Sequence, residues 1–408
     1  MSRIVLGVAG GIAAYKTCEL LRRLLGDGHD ITVVPTESAL HFVGAATWAA
    51  LSGRPVSTTV WDGAESVPHV KLGQEADLVF VAPATADLLA RAATGRADDL
   101  LTNVLLSARC PVIFAPAMHT EMWLHPATQA NVATLRARGC VVIDPDDGRL
   151  TGPDSGPGRL PDPVELLAVA RSVLSDPSVA ARLAERDLAG LTVAVSAGGT
   201  REHLDPVRFL GNSSSGLMGW ALARAAVLRG ARVRLVAANV DRPAPPGTEL
   251  ETVVSTSDLG RAMTRAADGA HIVVMAAAPA DFTPAAVSDT KIKKSGNGGL
   301  DLDLVQTPDV LAGLVGARTD PAQVIVGFAA ETAASDHDAL VALGQAKLAR
   351  KGCDLLVLND VGQGRVFGQP DNEVVVLSAA GASDVIQGSK DNVAHNIWDA
   401  ALFLRTRG

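Results

Sequence analysis

A glycine turn near the start of this 408-residue sequence has the residue types that suit phosphate binding. Gly10 and Gly11 come at the end of the apolar run 3–9, where a buried strand is predicted to turn into a helix. At such a turn, backbone N–H groups and the helix N-terminus can hold an anion. A second turn, at Gly198 and Gly199, follows an apolar run in the same way. Neither turn has GxGxxG spacing, so neither predicts a dinucleotide site, and a tight turn without a ligand remains the alternative.

Two histidines lie near predicted strand ends. His69 belongs to 66–72, a Pro-containing loop before a buried strand, where it could act as a general base near neutral pH. An ordinary surface histidine is the alternative. His119 belongs to 116–123, which follows another strand and whose Met and Trp could instead be core residues. The segment 81–87 ends a further strand, at the edge where open α/β sheets bind ligands.

Hydrogen-bond donors and lysines mark the second half. Residues 205–219 are rich in Ser, Asn and Gly before a predicted helix, which suits phosphate or carboxylate binding or a simple N-cap. Asp281 ends a buried strand, and the run KIKK at 291–294 is by itself typical of a solvated loop. Lys347 and Lys351 lie four apart on one predicted helix face, where two like charges favour an anionic partner.

Alternating apolar and amphipathic runs must position these residues. In the first half this alternation predicts a parallel sheet covered by helices on both faces. The strands are predicted at 3–9, 30–34, 77–82, 111–115 and 140–143, and the helices at 12–26, 37–51, 85–94, 99–108, 126–138 and 163–175. The Pro- and Gly-rich stretch 145–163 predicts a long functional loop.

The alternation starts again after the polar, weakly patterned stretch 176–190, which predicts a domain boundary. The segment 372–388 predicts a hairpin that adds an antiparallel strand to the sheet edge, and a last helix is predicted at 391–406. After a first strand that begins at 191, further strands are predicted at 231–237, 250–254, 271–276, 323–328, 354–358 and 373–377. The chain is therefore predicted to be α/β, with two doubly wound domains.

The composition excludes several classes of function. Lys and Arg number 36 against 44 Asp and Glu, a net charge of -8, and aromatic residues make up 3%. We therefore expect no nucleic-acid partner. The four cysteines (Cys18, Cys110, Cys140 and Cys353) form no CxxC pair, which argues against a disulfide framework or a zinc site. No apolar run resembles a signal peptide or reaches the ~18 residues of a membrane span, so we expect a cytoplasmic protein.

The motifs of the first half, taken in order, resemble the flavin-dependent cysteine decarboxylases, specifically the phosphopantothenoylcysteine decarboxylase family. They are GGIAAYK from Gly10, VPH at 67–69, APATADLLA from Ala82, TGRADDLL at 94–101 and PAMHTEMW at 116–123. The resemblance implies a flavodoxin-like fold that binds FMN, with His69 as the catalytic histidine. It implies that FMN oxidises a cysteinyl thiol, that CO2 is then lost, and that the product is finally reduced. The implied FMN contacts are Gly10, Gly11, Thr36, Ser38, Ala82, Pro83, Thr85 and Met118.

The sequence departs from this family at two places. His119 stands where the family usually has an Asn that holds the substrate carboxylate, a role for which an imidazole can also donate a hydrogen bond. Residues 151–154 read Thr-Gly-Pro-Asp, so Gly152 stands where the family's flap usually has a cysteine that helps to deliver the last proton. Either another group delivers that proton or the reaction stops at the enethiol, and we expect another proton donor to serve there.

The motifs of the second half resemble the phosphopantothenoylcysteine synthetase family. They are DPVRFLGNSSSGLMG at 205–219, AAAPADF at 276–282, KIKK at 291–294, GFAAET at 327–332, and Lys347 and Lys351 followed by Asn-Asp at 359–360. The resemblance implies that CTP activates a carboxylate as an acyl-cytidylate, which Asn212 stabilises and Lys291 helps to turn over. The implied CTP contacts are Met275, Ala276, Ala277, Asp281, Lys291, Pro308, Asp309, Val310, Leu311, Phe328, Lys347 and Lys351. Asp281 is the best single candidate for a Mg2+ ligand, with phosphates supplying most of the others.

Joined in this order, the two halves resemble the bacterial bifunctional coenzyme A biosynthesis family. The resemblance implies a flavodoxin-like decarboxylase domain at 1–189 and a Rossmann-like ligase domain at 190–408. Its substrates would be 4′-phosphopantothenate, cysteine and CTP, and its assembly a homo-oligomer, expected to be a dodecamer. The alternative is a ligase whose flavin-binding N-terminal domain is catalytically degenerate and regulatory. A pair of dehydrogenase domains is disfavoured because neither half has GxGxxG with a downstream acidic residue.

Overall fold

The computed structural model describes residues 1–61, 67–150, 154–293, 299–331, 337–360 and 371–407. The chain forms two compact units, Met1–Asp187 and Leu188–Gly408. Each unit is built on a doubly wound sheet, as the alternation of apolar and amphipathic runs predicts. No helix in these ranges is both long and apolar enough to cross a membrane.

The first unit is a parallel sheet with helices on both faces. Its strands are β1 (Arg3–Val8), β2 (Asp30–Pro35), β3 (Leu78–Ala84), β4 (Val112–Pro116), β5 (Val141–Val142), β6 (Asp146–Arg149) and β7 (Ser155–Arg159). Its helices are α1 (Ala14–Gly26), α2 (Ala45–Ser52), α3 (Pro68–Glu75), α4 (Ala86–Thr94), α5 (Leu100–Ser107), α6 (Thr120–Leu124), α7 (Pro126–Ala137), α8 (Pro163–Ser175) and α9 (Ser178–Glu185). The strand order β2-β1-β3-β4-β5 is that of the flavodoxin-like fold, so the predicted fold class is confirmed.

Burial on both faces explains why these strands appear in the sequence as continuous apolar runs. Val5, Val79 and Phe114 belong to a core that also contains residues of α4, α5 and α7. The neighbouring positions of β1, Ile4 and Leu6, point to the other face and are equally buried.

Three local predictions in the first unit are wrong, and one stretch to which the sequence analysis assigned no element contains a helix. The helix predicted at 37–51 is split into a 3-10 helix, Glu37–His41, and α2, because Gly44 adopts an extended conformation at the N-cap of α2. The predicted loop 145–163 contains β6 and β7, which pair as an antiparallel ribbon with Gly148 opposite Gly156. His69 lies in the first turn of α3 and not in a loop. The polar stretch 176–190 contains α9, which buries Val179 and Leu183.

The second unit is a larger mixed sheet. Its strands are β8 (Thr192–Gly198), β9 (Arg201–Asp205), β10 (Arg208–Gly211), β11 (Arg232–Ala238), β12 (Thr248–Val253), β13 (Ile272–Met275), β14 (Phe282–Pro284), β15 (Leu304–Gln306), β16 (Val324–Glu331), β17 (Leu355–Asp360), β18 (Asp371–Ser378), β19 (Gly381–Ala382) and β20 (Ile386–Ser389). Its helices are α10 (Leu217–Leu228), α11 (Thr256–Ala267), α12 (Val310–Ala317), α13 (His337–Lys351) and α14 (Lys390–Arg407).

The strand order of the main sheet begins β12-β11-β8-β13-β16-β17, which is the Rossmann order 3-2-1-4-5-6. As predicted, β18 pairs with β17 in antiparallel fashion at the edge. One face carries a core shared with α10 and α14, and the other a core shared with α11, α12 and α13. The sequence patterns missed the two short hairpins β9–β10 and β14–β15, in which β15 is exposed along its whole length and β10 alternates between exposed and half-buried residues.

Candidate functional site

In the first unit, the turn after β1 and the turn after β3 meet at the carboxyl edge of the sheet. Gly7 pairs with Val81, and the N–H of Ala9 donates to the carbonyl of Pro83 at 3.0 Å. A Cβ built on Gly11 would lie 3.7 Å from Thr85 Cγ2. The predicted contacts at Gly11, Pro83 and Thr85 are therefore neighbours, at the β1/β3 switch point where sheets of this order bind ligands.

The segment after β2 closes on the same turn. A Cβ on Gly10 would lie 2.4 Å from Ser38 Cβ and 3.0 Å from the Ser38 carbonyl carbon, so only glycine fits there. Thr36 is buried, and its hydroxyl accepts the N–H of Ala39 at 3.2 Å. No side chain caps α1 at Ala13, and the N–H groups of Ala14 and Lys16 donate to the carbonyls of Gly11 and Ala13, each at 3.0 Å. The glycine turn itself is therefore the part of this arrangement that suits a phosphate group.

The β6–β7 ribbon lies directly against the predicted residues Met118 and His119. The N–H of Met118 donates to the carbonyl of Gly158 at 3.0 Å, and a Cβ on Gly158 would lie 2.2 Å from the Met118 carbonyl oxygen. His119 Nδ1 lies 3.6 Å from an Asp154 carboxylate oxygen, with both side chains about half exposed. The predicted flap residue Gly152 lies outside the described residues. Trp123, in the same motif, is buried in the core.

His69 is held by α5. Its backbone carbonyl accepts the hydroxyl of Ser107 at 2.9 Å, and α3 packs on α5. Its ring Nδ1 is buried and has no hydrogen-bond partner in the structure. A buried ring nitrogen without a partner is costly, and such an atom is a candidate for contact with a ligand. The hydrogen bonds of the described residues connect His69 to α5 and not to the glycine turn.

In the second unit, a cavity of about 500 Å3 lies at the carboxyl edge of the sheet, beside the switch point between β8 and β13. We call it the edge cavity. The predicted residues that line it are Asn212, Met275, Ala276, Ala277, Asp281, Pro308, Asp309, Val310, Leu311, Phe328, Lys347 and Lys351. Lys291 is not among the described lining residues. Tertiary structure thus brings together twelve of the thirteen ligase residues predicted from separate motifs.

The N-terminus of α10 forms one wall of the edge cavity. Its N-cap, Gly216, has a left-handed conformation (φ 73°), and no side chain caps the helix. A Cβ on Gly219 would lie 2.4 Å from Ala197 Cβ, so the glycine lets α10 approach β8. The Nδ2 of Asn212 donates to the carbonyl of Pro279 at 2.7 Å. First-turn N–H groups therefore face a site where an anion can bind.

The spacing of Lys347 and Lys351 predicted two like charges side by side on α13, but the structure adds a carboxylate beside one of them. Lys351 Nζ forms an ion pair with Asp309. The same Asp309 carboxylate accepts the N–H of Ala312 at 3.0 Å and caps α12. Burial raises the pKa of Asp309, but the contact with Lys351 and the bond from Ala312 outweigh it and lower the pKa overall. The Asp309 carboxylate therefore balances the charge of Lys351.

A buried carboxylate anchors the segment that carries Lys291. Asp205 accepts N–H groups from Val207, Arg208 and Ile292, and the Arg208 guanidinium at 2.6 Å. Burial raises the pKa of Asp205, but these hydrogen bonds outweigh it and lower the pKa to about 2. Lys291 itself is exposed beside this anchor, and Lys294 lies outside the described residues.

One carboxylate is available for a metal ion at the edge cavity. Asp281 is exposed on the lining. Within the described residues, no group of three or more His, Cys, Asp or Glu side chains is placed to hold a metal. A single carboxylate suits Mg2+, which takes much of its coordination from water and substrate phosphates.

Among the polar lining residues that the sequence analysis did not select are Asn359, Asn372 and Lys390. Asn359 belongs to the Asn-Asp motif, so a signal existed for it. Asn372 and Lys390 stand in no recognisable motif. They reach the edge cavity because β18 pairs antiparallel to β17; the predicted hairpin gave the strand but not the side chains that it brings to the cavity.

Known proteins resemble the chain along nearly its whole length. A family model described as DNA/pantothenate metabolism flavoprotein C-terminal domain matches residues 188–403, and one described as Flavoprotein matches residues 1–175. The coenzyme A biosynthesis bifunctional protein CoaBC of Mycolicibacterium smegmatis is 55% identical over 415 residues, covering 99% of this chain and 98% of the relative. That of Escherichia coli is 41% identical over 379 residues, covering 92% and 90%. A crystal structure of the C-terminal domain of such a protein has a TM-score of 0.45 at 29% identity, covering 55% of this chain and 100% of that one.

Proposed function

This chain belongs to the family of coenzyme A biosynthesis bifunctional proteins, and from that premise we propose two activities. Residues 190–408 join cysteine to 4′-phosphopantothenate in a CTP-dependent ligation. Residues 1–189 then decarboxylate the product, 4′-phosphopantothenoylcysteine, to 4′-phosphopantetheine. The observation that carries the proposal is the edge cavity, where residues from separate motifs of the predicted ligase line one space of nucleotide size.

For ligation, the proposal gives each wall of the edge cavity a role. The uncapped α10 N-terminus and the lysines of α13 offset the negative charge of CTP. Asp281 holds Mg2+ together with the phosphates. The amide of Asn212, held at 2.7 Å from the Pro279 carbonyl, stabilises the acyl-cytidylate, and Lys291 assists its turnover. The exposure of Lys291 is compatible with contact to bound substrate.

For decarboxylation, the proposal assigns FMN to the glycine turn of the first unit. Bound FMN would supply the oxidation of the cysteinyl thiol and, after CO2 is lost, the reduction of the enethiol. The turn at Gly10 and Gly11 would hold the phosphate, next to Ser38 and Thr85. His69 presents a buried nitrogen for proton transfer, and His119 donates to the substrate carboxylate. The β6–β7 ribbon, bonded to Met118, excludes water from the intermediate.

One observation favours the alternative of a degenerate regulatory domain. Asp154 lies 3.6 Å from His119, so a second carboxylate already occupies the neighbourhood where the substrate carboxylate is expected. A second carboxylate beside His119 repels the substrate carboxylate, which weakens substrate binding.

The deciding experiment supplies purified protein with 4′-phosphopantothenate, cysteine, CTP and Mg2+. We expect a yellow protein that forms 4′-phosphopantetheine and releases CO2. Amide product without CO2 would select the degenerate alternative, and absence of amide would refute the ligase. His69→Asn is expected to abolish CO2 release and leave ligation unchanged, which shows that the two activities use separate sites.

We also propose that the protein is a homo-oligomer, specifically a dodecamer. The family resemblance implies trimeric contacts for the decarboxylase half and dimeric contacts for the ligase half. A chain that carries both interfaces can close into a dodecamer with point symmetry. Size-exclusion chromatography with light scattering tests this. A monomer would contradict it.

A further inference from the structure

Asn359, Asn372 and Lys390 form a polar cluster on one side of the edge cavity, which we call the amide–lysine cluster. Val357, two residues before Asn359, belongs to the core shared with α10 and α14. Val374, two residues after Asn372, belongs to the same core. Because alternate residues of a strand share a face, both asparagines lie on that face. Lys347 and Lys351 belong to α13, on the opposite face. The edge cavity therefore has polar groups on both sides of the sheet.

The amide–lysine cluster holds a buried cation and a buried acceptor. Lys390 is 7% exposed, and its ammonium donates to the backbone carbonyl of Asp371 at 2.9 Å. Burial lowers the pKa of Lys390, and the charge of Asp371 opposes that shift. Asn359 Oδ1 is buried and accepts no hydrogen bond in the structure. A buried acceptor without a donor costs free energy unless a ligand supplies one.

The apolar neighbours of the amide–lysine cluster are side chains that can pack against a thiol. Asn372 Nδ2 lies 3.7 Å from the Sδ of Met218, and Met218 and Phe328 both pack against the core of the α10–α14 face. Aromatic side chains make favourable contacts with sulfur, and a flexible methionine adapts to the shape of a small apolar group. The cluster thus combines a cation, an acceptor and a surface suited to a small thiol.

We propose that the amide–lysine cluster is the cysteine subsite of the ligase. Lys390 binds the α-carboxylate of cysteine, Asn359 Oδ1 accepts an N–H of its amine, and Met218 and Phe328 contact its side chain. The inference rests on the proposed ligase function and goes beyond it, because none of the residues assigned to CTP or to the acyl-cytidylate accounts for the second carboxylate and the amine that cysteine brings.

The position suits the second half of the ligation. The neutral amine of cysteine attacks the acyl carbon of the acyl-cytidylate, and its lone pair becomes the new C–N bond. The bond from that carbon to the phosphate oxygen of CMP breaks, and CMP leaves with the electron pair. The nitrogen then loses one proton to solvent. Asn359, by accepting an amine N–H, orients the lone pair for attack.

The test compares cysteine with cysteamine, which has the same amine and thiol but no carboxylate. We expect Lys390→Met to lower kcat/KM for cysteine by about 10- to 100-fold, the range for a lost hydrogen bond to a charged group, and to leave kcat/KM for cysteamine unchanged. Lys390→Arg should retain most of the preference for cysteine. Arg232→Gln is the matched control, because it removes one positive charge from an exposed ion pair with Glu249 at the other end of the parallel strands.

Two further measurements separate the cysteine subsite from other roles. Pyrophosphate release from CTP and 4′-phosphopantothenate alone should be the same in Lys390→Met and wild type; an equal loss there would assign Lys390 to the nucleotide and overturn the proposal. Asn359→Leu should lower kcat/KM for cysteine and cysteamine alike, because both carry the amine.

Wild type alone provides a check that needs no variant. If wild type uses cysteamine as efficiently as cysteine, it has no carboxylate subsite and the inference is wrong even if Lys390→Met does not fold. If wild type forms no amide at all, the proposed ligase function fails instead.

Discussion

The Gly10→Ala variant tests whether the glycine turn of the first unit is built for a phosphate. The added Cβ would lie 2.4 Å from Ser38 Cβ, whereas non-bonded carbons prefer about 3.5 Å or more, so the turn and the segment after β2 must separate by about 1 Å. The carbonyl carbon of Ser38, 3.0 Å away, belongs to the backbone and cannot rotate aside. Catalytic sites lose about 100-fold in rate for a misplacement of 1 Å.

We therefore expect Gly10→Ala to lose most of its bound flavin and to release CO2 about 100-fold more slowly at subsaturating FMN. Flavin titration by visible absorbance and CO2 release from synthetic 4′-phosphopantothenoylcysteine measure the two effects. Ligation, measured as pyrophosphate release in the same preparation, should be unchanged because the ligase is proposed to occupy the other unit.

The matched control for this variant is Gly26→Ala, where the new Cβ would meet nothing within 4 Å. It should bind flavin like wild type. The reasoning would be refuted if Gly10→Ala bound flavin as tightly as Gly26→Ala, because the close approach to Ser38 would then not set the geometry of the site.

Three further predictions concern the β6–β7 ribbon and the ligase. Burial raises the pKa of Asp146 to about 6, so the folded state binds more protons than the unfolded state between about pH 4 and 6, and stability falls as the pH rises through that range. Asp146→Asn should thus raise the free energy of unfolding at pH 7.5 by about 1 kcal/mol, a figure reduced because the side chain is partly exposed. At pH 4 the substitution should leave the free energy of unfolding unchanged. Thermal unfolding at the two pH values measures both effects. Lys291→Gln should slow ligation and let the acyl-cytidylate accumulate in quenched reactions; unchanged turnover would remove Lys291 from the mechanism. Gly219→Ala, whose Cβ would lie 2.4 Å from Ala197 Cβ, should displace α10 and weaken CTP binding in calorimetry without loss of flavin.

Periodicity and glycine spacing were sufficient to predict the main fold. Strands such as β1 and β8 are buried on both faces, so their apolar runs are continuous and visible without any tertiary information. The ribbon β6–β7 escaped prediction because its residues are mainly Asp, Gly, Pro and Arg, which signal a turn. Its two strands pair with each other, and the N–H of Met118, a residue distant in sequence, adds a hydrogen bond to Gly158.

The sequence by itself determined the fold class, the two glycine turns and the motifs that relate each half to a family, because these depend on local spacing. Only the tertiary structure decided which charges meet. It paired Lys351 with Asp309, anchored the segment before Lys293 on Asp205, and brought Lys390 to the edge cavity. These contacts join residues 42 and 87 positions apart, where no local pattern carries information. The sequence gives the chemical type of each side chain, but the residues that it contacts depend on the order of the strands in the sheet.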